Sequence, residues 1–189
     1  MAHLLAESEL TDAQRSYLDS ILFSGRTLPT LLDTVLDFAR VDNGDIALEP
    51  APFAPTALAR RVCDMFRSKA AEKDVALTVD LSPSVPDQVV GDAARVGQIL
   101  TNLVSNALKF TDAGSIQLSL APTAPPDDAP GPRDDAATWL ALRVSDTGIG
   151  IAPEEQERIF DDFARADAPD VHARDGVGLG LAIVHRLLK

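Results

Sequence analysis

The sequence predicts an α+β protein in which an N-terminal helical hairpin precedes a larger region that mixes strands with helices. Apolar residues between Leu18 and Ala39 recur alternately three and four positions apart, which is the seam of packed helices. Apolar and polar residues alternate from Val75 to Leu81, as in a half-buried strand. From Asp92 to Phe110 the apolar period is again helical. A helical segment followed by mixed elements is typical of the α+β class.

Composition narrows the class of function and the compartment. The 189 residues are 46% hydrophobic, enough for a buried core, and their net charge of -12 disfavours nucleic acid as a partner. The single cysteine, Cys63, lies in a helical apolar pattern and is predicted to be a buried structural thiol. No apolar run is long enough for a membrane span, and no signal-peptide pattern is present. We therefore expect a cytoplasmic protein without direct membrane insertion.

The helical region begins with a capping box and continues as a seam. Thr11 and Gln14 are spaced so that each side chain bonds the other's backbone N–H. The residues of the seam that follows are Leu18, Ile21, Gly25, Leu28, Leu32, Val35 and Ala39. Residues 1–6 resemble the tail of a preceding helix, so the pattern predicts an antiparallel hairpin whose first arm is mostly missing. Pro29 is expected to kink the second arm.

The region after the turn at Asn43-Gly44 is predicted to contain strands at residues 75–81, 115–121 and 139–145 and a helix at 92–110. Residues 122–138 are rich in Pro, Ala and Asp and are predicted to form a flexible loop without a function.

Two amides on the long helix are the first candidates for chemistry. Asn102 and Asn106 are four residues apart and so lie one turn from each other on one face. They could bond each other or a loop, or they could hold Mg²⁺ and phosphate oxygens, since an amide carbonyl is a ligand for a hard cation. Lys109 lies near the same face and is either a solvated lysine or a phosphate contact.

A second candidate follows the last predicted strand, at Asp146-Thr147-Gly148-Ile149-Gly150. Asp146 at the strand end could accept a hydrogen bond from an exocyclic amine such as that of adenine. Gly148 and Gly150 would let the backbone approach a flat ring closely. Taken by itself, this pattern is equally typical of a tight turn.

Two further segments complete the set. Pro153-Glu154-Glu155-Gln156 starts a short helix that leads to Phe160 and Phe163, which most simply bury one helical face. Gly176-Val177-Gly178-Leu179-Gly180-Leu181 opens a final helix from about Leu179 to Leu188, where free N–H groups suit phosphate. The glycine spacing and the absence of a preceding strand argue against a dinucleotide fold. No Lys-Ser or Lys-Thr follows, which excludes a P-loop.

In this order, the four segments resemble the asparagine, first-glycine, phenylalanine and second-glycine boxes of the histidine-kinase ATP-binding domain. That domain belongs to the superfamily that includes gyrase, a heat-shock chaperone and mismatch-repair ATPases. The residues ahead of the asparagine box also resemble the family's sequence at that place: Gly91-Asp92, Arg95 and Gln98. Leu36-Asp37-Phe38-Ala39-Arg40 and Leu48-Glu49-Pro50 resemble the end of the dimerisation helices, especially those of hybrid sensor kinases.

The resemblance implies an α/β sandwich with a mixed sheet on one side and helices on the other. It implies residues 1–43 as a partial dimerisation hairpin, residues 44–189 as the ATP-binding catalytic domain and residues 161–175 as an ATP lid. The family's closing strands would be missing, so the chain is expected to be truncated at both ends.

The resemblance also assigns roles and cofactors, ATP and Mg²⁺. Asn106 would coordinate Mg²⁺, and Asn102 and Lys109 would contact the phosphates. Asp146 would bind the adenine amine, with the two glycines beside the ring and Phe110 packed nearby. The residues expected to line the phosphate end are Gly176, Gly178, Gly180 and Leu181.

The activity implied is that of a protein-histidine kinase of a two-component system. The γ-phosphoryl of Mg-ATP would pass to a histidine and then to an aspartate on a response-regulator receiver domain, within a homodimer formed through the hairpin. No acceptor motif is found: His3, His172 and His185 do not match it, so the fragment is expected not to autophosphorylate, and membrane anchoring of the parent is left open. The alternatives are a degenerate dimerisation or regulatory module, and an ATP-hydrolysing relative. The latter would place a glutamate where Asn102 stands, and an amide cannot act as that base.

Overall fold

The computed structural model describes residues 5, 10, 11, 14, 15, 17, 18, 21, 22, 48–125, 138–162, 164 and 179–188. The chain divides into two compact units, Met1–Ile46 and Ala47–Lys189.

In the first unit, the described residues confirm the capping box. The Thr11 N–H donates to Gln14 Oε1 at 3.0 Å, and the Gln14 N–H donates to Thr11 Oγ1 at 3.3 Å. The helical residues among those described are Leu5, Gln14, Arg15, Tyr17, Leu18, Ile21 and Leu22. Leu18 is buried and Ile21 is exposed. Pro29, the rest of the seam and the Asn43-Gly44 turn lie outside the described residues, so the hairpin stays a prediction.

The second unit contains five strands and three α-helices among its described residues. In chain order they are β1 Ala51–Phe53, α1 Pro55–Glu72, β2 Val75–Leu81, β3 Val89–Gly91, α2 Ala93–Phe110, β4 Gly114–Thr123, β5 Trp139–Asp146 and α3 Gly180–Leu187. Two 3-10 helices, Pro153–Glu155 and Arg158–Phe160, lie between β5 and α3. The predicted strand at residues 75–81 and helix at residues 92–110 are confirmed, with Asp92 as the N-cap.

Three of these strands form a mixed sheet, as predicted. Its order is β2-β4-β5, with β4 parallel to β2 and antiparallel to β5. The register pairs Leu77 with Ile116, Val79 with Leu118, and Leu118 with Val144. Because these partners point to the same side, one apolar face runs across all three strands.

That face is covered by α1 and α2. Ala59 and Cys63 of α1 pack with Leu100 and Val104 of α2 over Leu118 of the central strand. A second cluster extends this core with Ala70, Val75, Ala107, Leu108 and Ile116. The result is a two-layer arrangement of helices on one side of a mixed sheet, which confirms the predicted fold class. Cys63 is buried as expected, and burial raises the pKa of its thiol, with the Asp64 charge adding to the effect.

Two local predictions need correction, and one pair of strands was missed. Strand β4 extends to Thr123 because Pro122 and Thr123 pair with Leu140 and Trp139, so the predicted loop at 122–138 begins later. A two-stranded antiparallel pair, β1 with β3, was missed because both strands are three residues long. The segment after Pro153 forms two 3-10 helices, and Phe160 is 38% exposed, because three-residue turns present no continuous buried face.

In the described part of the chain, no helix has both the length and the apolar character that crossing a membrane would require.

Candidate nucleotide-binding site

Helix α2 separates a core face from a polar face. At 3.6 residues per turn, Asn102, Asn106 and Lys109 fall within a sector of about 60°. The buried residues of α2 are on the other side: Leu100, Val104, Ala107 and Leu108. Asn102, Asn106 and Lys109 are all half-buried. The core therefore fixes how far α2 is rotated, and that rotation presents the amides away from the sheet.

Both amides meet the first residue of α3. A Cβ atom at Gly180 would lie 3.7 Å from Asn102 Oδ1 and 3.7 Å from Asn106 Nδ2. Leu179, in the N-cap position of α3, makes no side-chain capping bond in this described stretch. Asn102 and Asn106 therefore lie beside the N-terminal end of α3, where the N–H groups of a first helical turn lack partners within the helix. Turning either amide by 180° would exchange its oxygen and nitrogen.

The loop after β5 is held against the end of α2. The Gly148 N–H donates to Asp146 Oδ1 at 2.9 Å, and the Ile149 N–H donates to the Phe110 carbonyl oxygen at 3.3 Å. A Cβ atom at Gly148 would overlap the Phe110 carbonyl, so only glycine fits there. Gly150 has a φ of 71°, in the left-handed region that glycine adopts readily. This loop brings Asp146, Gly148 and Phe110 together.

Thr147, which the sequence analysis did not single out, ties the same loop to the sheet. The Thr147 N–H donates to the Ser115 carbonyl oxygen at 3.1 Å, and the Ser115 N–H donates to Thr147 Oγ1 at 3.0 Å. These bonds continue the β4–β5 ladder by one step beyond Asp146. The threonine between Asp146 and Gly148 was the available signal, since a hydroxyl in a turn often bonds a backbone group.

Lys109 and Lys73 act at the C-terminal end of α2. Lys109 Nζ lies 4.7 Å from the centroid of the Phe110 ring, a cation–π distance. Lys73 Nζ donates to the carbonyl oxygens of Leu108 at 2.9 Å and Thr111 at 3.1 Å. Lys73 was also missed, because its partners lie more than thirty positions away in the chain. A cation at the negative end of a helix stabilises that end.

A third contact region joins α3 to the segment after the Asp146 loop. Arg186 Nη2 lies 2.7 Å from Asp162 Oδ2, and the rings of Phe160 and His185 have centroids 5.4 Å apart. His185 was predicted to be a surface or packing residue, and it is exposed while packing on Phe160. The sequence held no signal for the ion pair, because neither partner has a periodic spacing to the other.

At the start of α2, Asp92 accepts three backbone hydrogen bonds. They come from Arg95, Glu49 and Ala94, and with the nearby Arg95 charge they hold the pKa of this carboxyl below its usual value. The bond from Glu49 connects the segment that enters β1 to the start of the helix that carries both asparagines.

The predicted site residues therefore fall into three groups. One group is Asn102, Asn106 and Gly180, and a second is Phe110, Asp146 and Gly148, with Lys109 over the Phe110 ring. Leu181 follows Gly180 in α3 and is half-buried, and Gly150 lies in the Asp146 loop. Gly176, Gly178 and most of the predicted lid form the third group and lie outside the described residues. No three His, Cys, Asp or Glu side chains cluster as metal ligands in the part of the chain that the structure describes.

Comparison with known sequence families identifies the class. The profile of the histidine kinase-, DNA gyrase B- and HSP90-like ATPases matches residues 91–189, and the chain belongs to this family. Within it, residues 91–189 form an ATP-binding domain of the histidine-kinase type, as the following relatives indicate.

Signal transduction histidine-protein kinase BarA of Escherichia coli (strain K12) is 35% identical over 185 residues, covering 98% of this chain and 19% of BarA. Hybrid signal transduction histidine kinase A of Dictyostelium discoideum is 34% identical over 191 residues, covering 100% of this chain and 9% of that protein. The chain thus spans a fifth or less of these curated relatives.

Among solved structures, full-length ShkA in complex with AMPPNP superposes with a TM-score of 0.73 at 37% identity. The match covers 99% of this chain and 36% of ShkA. The predicted resemblance to a histidine-kinase ATP-binding domain is confirmed by these comparisons.

Proposed function

We propose that this chain is the ATP-binding catalytic core of a two-component sensor histidine kinase. Its reaction is the transfer of the γ-phosphoryl of Mg-ATP to a histidine, and from there to an aspartate of a response-regulator receiver domain. The names of the relatives support the class of reaction, and the AMPPNP complex of ShkA supports an adenine nucleotide as the ligand.

One observation carries the proposal: segments far apart in the sequence meet along the C-terminal half of α2. Gly180 contacts this helix at Asn102 and Asn106, and the Asp146 loop contacts it at Phe110. Asn102 and Phe110 are separated by about 12 Å along the helix axis at 1.5 Å per residue. A base at one end and a triphosphate at the other would fit that separation.

At the base end, Asp146 accepts the Gly148 N–H with Oδ1. This bond fixes the carboxylate and leaves Oδ2 to accept a hydrogen bond from the exocyclic amine of adenine. Because Gly148 carries no side chain, the loop lies directly against the α2 backbone. Among the described residues, no atom lies within 4 Å of the Cβ position of Gly150. The Phe110 ring packs beside this end.

At the phosphate end, the Asn102 and Asn106 amides and the first-turn N–H groups of α3 supply donors. The positive end of a helix favours an anion. Lys109 lies on the same face of α2, and its ammonium would turn from the Phe110 ring toward Asn106 to add a positive charge beside the phosphates. Asn106 would supply an amide oxygen for Mg²⁺, and the cation would offset the negative charge of the phosphates.

The residue at position 102 favours phosphoryl transfer over hydrolysis. An asparagine amide cannot take a proton from water, so ATP would be kept for a histidine acceptor. Steady-state phosphate release separates the two reactions. Release at several turnovers per minute without an acceptor would identify a hydrolase instead.

The acceptor histidine is proposed to lie on a dimerisation helix of the parent protein, in which the hairpin would form a homodimer. Incubating the chain with γ-labelled Mg-ATP and a partner that carries the acceptor helix should label the partner. Label on His3, His172 or His185 of the isolated chain would contradict this assignment. Transfer from the labelled partner to a receiver domain would then test the second step.

The first test of the site is Asn106→Ala. We expect the affinity for Mg-ATP to fall about tenfold or more, because a charge-assisted ligand to the cation is lost. Isothermal titration with Mg-ATP measures the change, and Ser105→Ala, an exposed neighbour about 100° around α2 from Asn106, is the matched control. Equally weak binding by the wild type and the variant would favour a non-catalytic module.

The second test is Asp146→Asn, which preserves an acceptor for the Gly148 N–H but places a donor where Oδ2 was. Affinity for ATP should fall about tenfold to a hundredfold, since two donors then face each other. Affinity for GTP, whose base has a carbonyl oxygen at the corresponding position, should fall less or rise. An unchanged preference for ATP over GTP would show that Asp146 does not bind the base.

A further inference from the structure

Helix α3 contacts the candidate site at its first residue and the surface at its last turn. Gly180 begins the helix against Asn102 and Asn106, while His185 and Arg186 near its end contact Phe160 and Asp162. The middle of the helix, Ala182, Ile183 and Val184, is buried. The same eight-residue helix therefore joins the phosphate end of the site to the segment that follows the Asp146 loop.

A helix of this length does not hold its own geometry. Isolated helices shorter than about 12 residues are marginal in water, so contacts with neighbouring elements fix the position of α3. The buried middle anchors it but still allows a tilt about that point. A contact near the C-terminal end removes this freedom, and any tilt it prevents would move Gly180 relative to the asparagines.

The Arg186–Asp162 ion pair lies where it can oppose such a tilt of α3. Arg186 and Asp162 are 24 positions apart in the chain, and their side chains are 24% and 41% exposed. By contrast, the Arg67–Asp64 pair has the same 2.7 Å distance, but its side chains are 71% and 61% exposed and belong to one helix. Screening by water is weaker for the less exposed Arg186–Asp162 pair, which also connects two separate elements.

We propose that Asp162–Arg186, supported by Phe160–His185, forms a clamp that positions Gly180 against the asparagine pair and so sets the affinity for the phosphates. These are positioning residues, which act through α3 and need not touch the nucleotide. The inference rests on the proposed function, since it assumes that ATP binds along α2.

The experiment compares ligands that differ only in their phosphates. Arg186→Gln retains part of the stem but removes the charge, and Asp162→Asn removes the partner charge. Each substitution should weaken Mg-ATP binding about fivefold. This factor corresponds to the upper end of the energies measured for single solvent-exposed ion pairs. Binding of adenosine should be unchanged, because the Asp146 loop is attached to α2 independently through Phe110. Isothermal titration measures both, and the unfolding midpoint without ligand checks the fold.

The charge-reversed double variant, Asp162→Arg with Arg186→Asp, provides the rescue. It should recover at least half of the lost affinity if the pair acts by mutual attraction. The matched control is Asp64→Asn with Arg67→Gln, which removes the similar pair on α1 and should leave both ligands unaffected.

The outcomes separate the clamp from the proposed function. Loss of ATP affinity alone, with rescue by reversal, supports the clamp. Equal losses for ATP and adenosine, a failed rescue, or no change in either single variant overturns it while ATP binding stands. If the wild-type chain binds no Mg-ATP, the proposed function fails and the clamp fails with it.

Discussion

The two ends of the candidate site are built by different means. At the Asp146 end, hydrogen bonds of the backbone hold the loop in place. The Ile149 N–H donates to the Phe110 carbonyl oxygen, and Thr147 continues the sheet ladder at Ser115. At the asparagine end, side-chain amides on α2 meet a glycine on a separate short helix. The first end is thus tied directly to the sheet and to α2, whereas the second depends on how α3 is held.

The difference indicates where each end is vulnerable. Backbone contacts are sensitive to the volume of a single added carbon, because the main chain cannot move without breaking its ladder. Side-chain contacts tolerate small additions but respond to changes in the neighbouring elements. A Cβ atom at Gly180 would meet only ordinary van der Waals neighbours, whereas one at Gly148 would overlap a carbonyl.

The largest expected effect comes from Gly148→Ala, which would break the Asp146 end. The methyl group overlaps the Phe110 carbonyl, so the loop must leave α2, at a cost to stability of about 2–3 kcal/mol. Nucleotide binding should be lost together with stability. Urea unfolding and titration with Mg-ATP measure the two effects.

Gly150→Ala is the matched control for that change. No atom of the described residues lies within 4 Å of its Cβ position, so the expected cost is that of the left-handed φ, about 1 kcal/mol. If the two alanine variants were equally stable and bound nucleotide equally well, the backbone contact at Phe110 would not be what holds the loop.

An intermediate effect is expected from Lys73→Met, which tests whether the α2 C-terminus supports the Asp146 end. Two carbonyl oxygens, of Leu108 and Thr111, lose their charged donor, which should destabilise the fold by about 1–2 kcal/mol. Urea unfolding measures this change. The exposed Lys69 on α1 provides the control variant, Lys69→Met, whose unfolding midpoint should match the wild type. Equal midpoints for the two variants would exclude a capping role for Lys73.

The smallest effect is expected at the opposite end of α2, from Asp92→Asn. The pKa of Asp92 is lowered in the folded chain, so its contribution to stability is present at neutral pH and lost as pH falls through the folded pKa. The variant should therefore have a lower urea midpoint of unfolding than the wild type at pH 7. The difference between the two midpoints should become smaller toward pH 3. Nucleotide affinity should change little.

The control for Asp92 is Asp80→Asn on β2, an exposed carboxylate. If the difference in urea midpoint between Asp92→Asn and the wild type stayed constant from pH 7 to pH 3, the charge of Asp92 would not be the source of its stabilising effect. A large loss of nucleotide affinity in this variant would instead couple the start of α2 to the site.

The sequence by itself determined the elements whose burial is periodic. Helix α2 and strand β2 were predicted nearly to the residue, because the buried side of each repeats along the chain. The spacing of Asn102 and Asn106 followed from the same helical period. The ordered set of motifs identified the family, which the profile match at residues 91–189 confirms. These are properties of short stretches of sequence, and they do not depend on which other segments pack against them.

Only the tertiary structure decided the contacts between distant segments. The β1–β3 pair, the Lys73 cap and the Asp162–Arg186 bridge each join residues whose local sequence gives no sign of a partner. The 3-10 helices after Pro153 likewise replaced a predicted helix, because too few residues there face the core. The periodicity of the sequence determines which side of an element is buried. The hydrogen-bond partner of each polar group depends instead on which distant segments pack against that element.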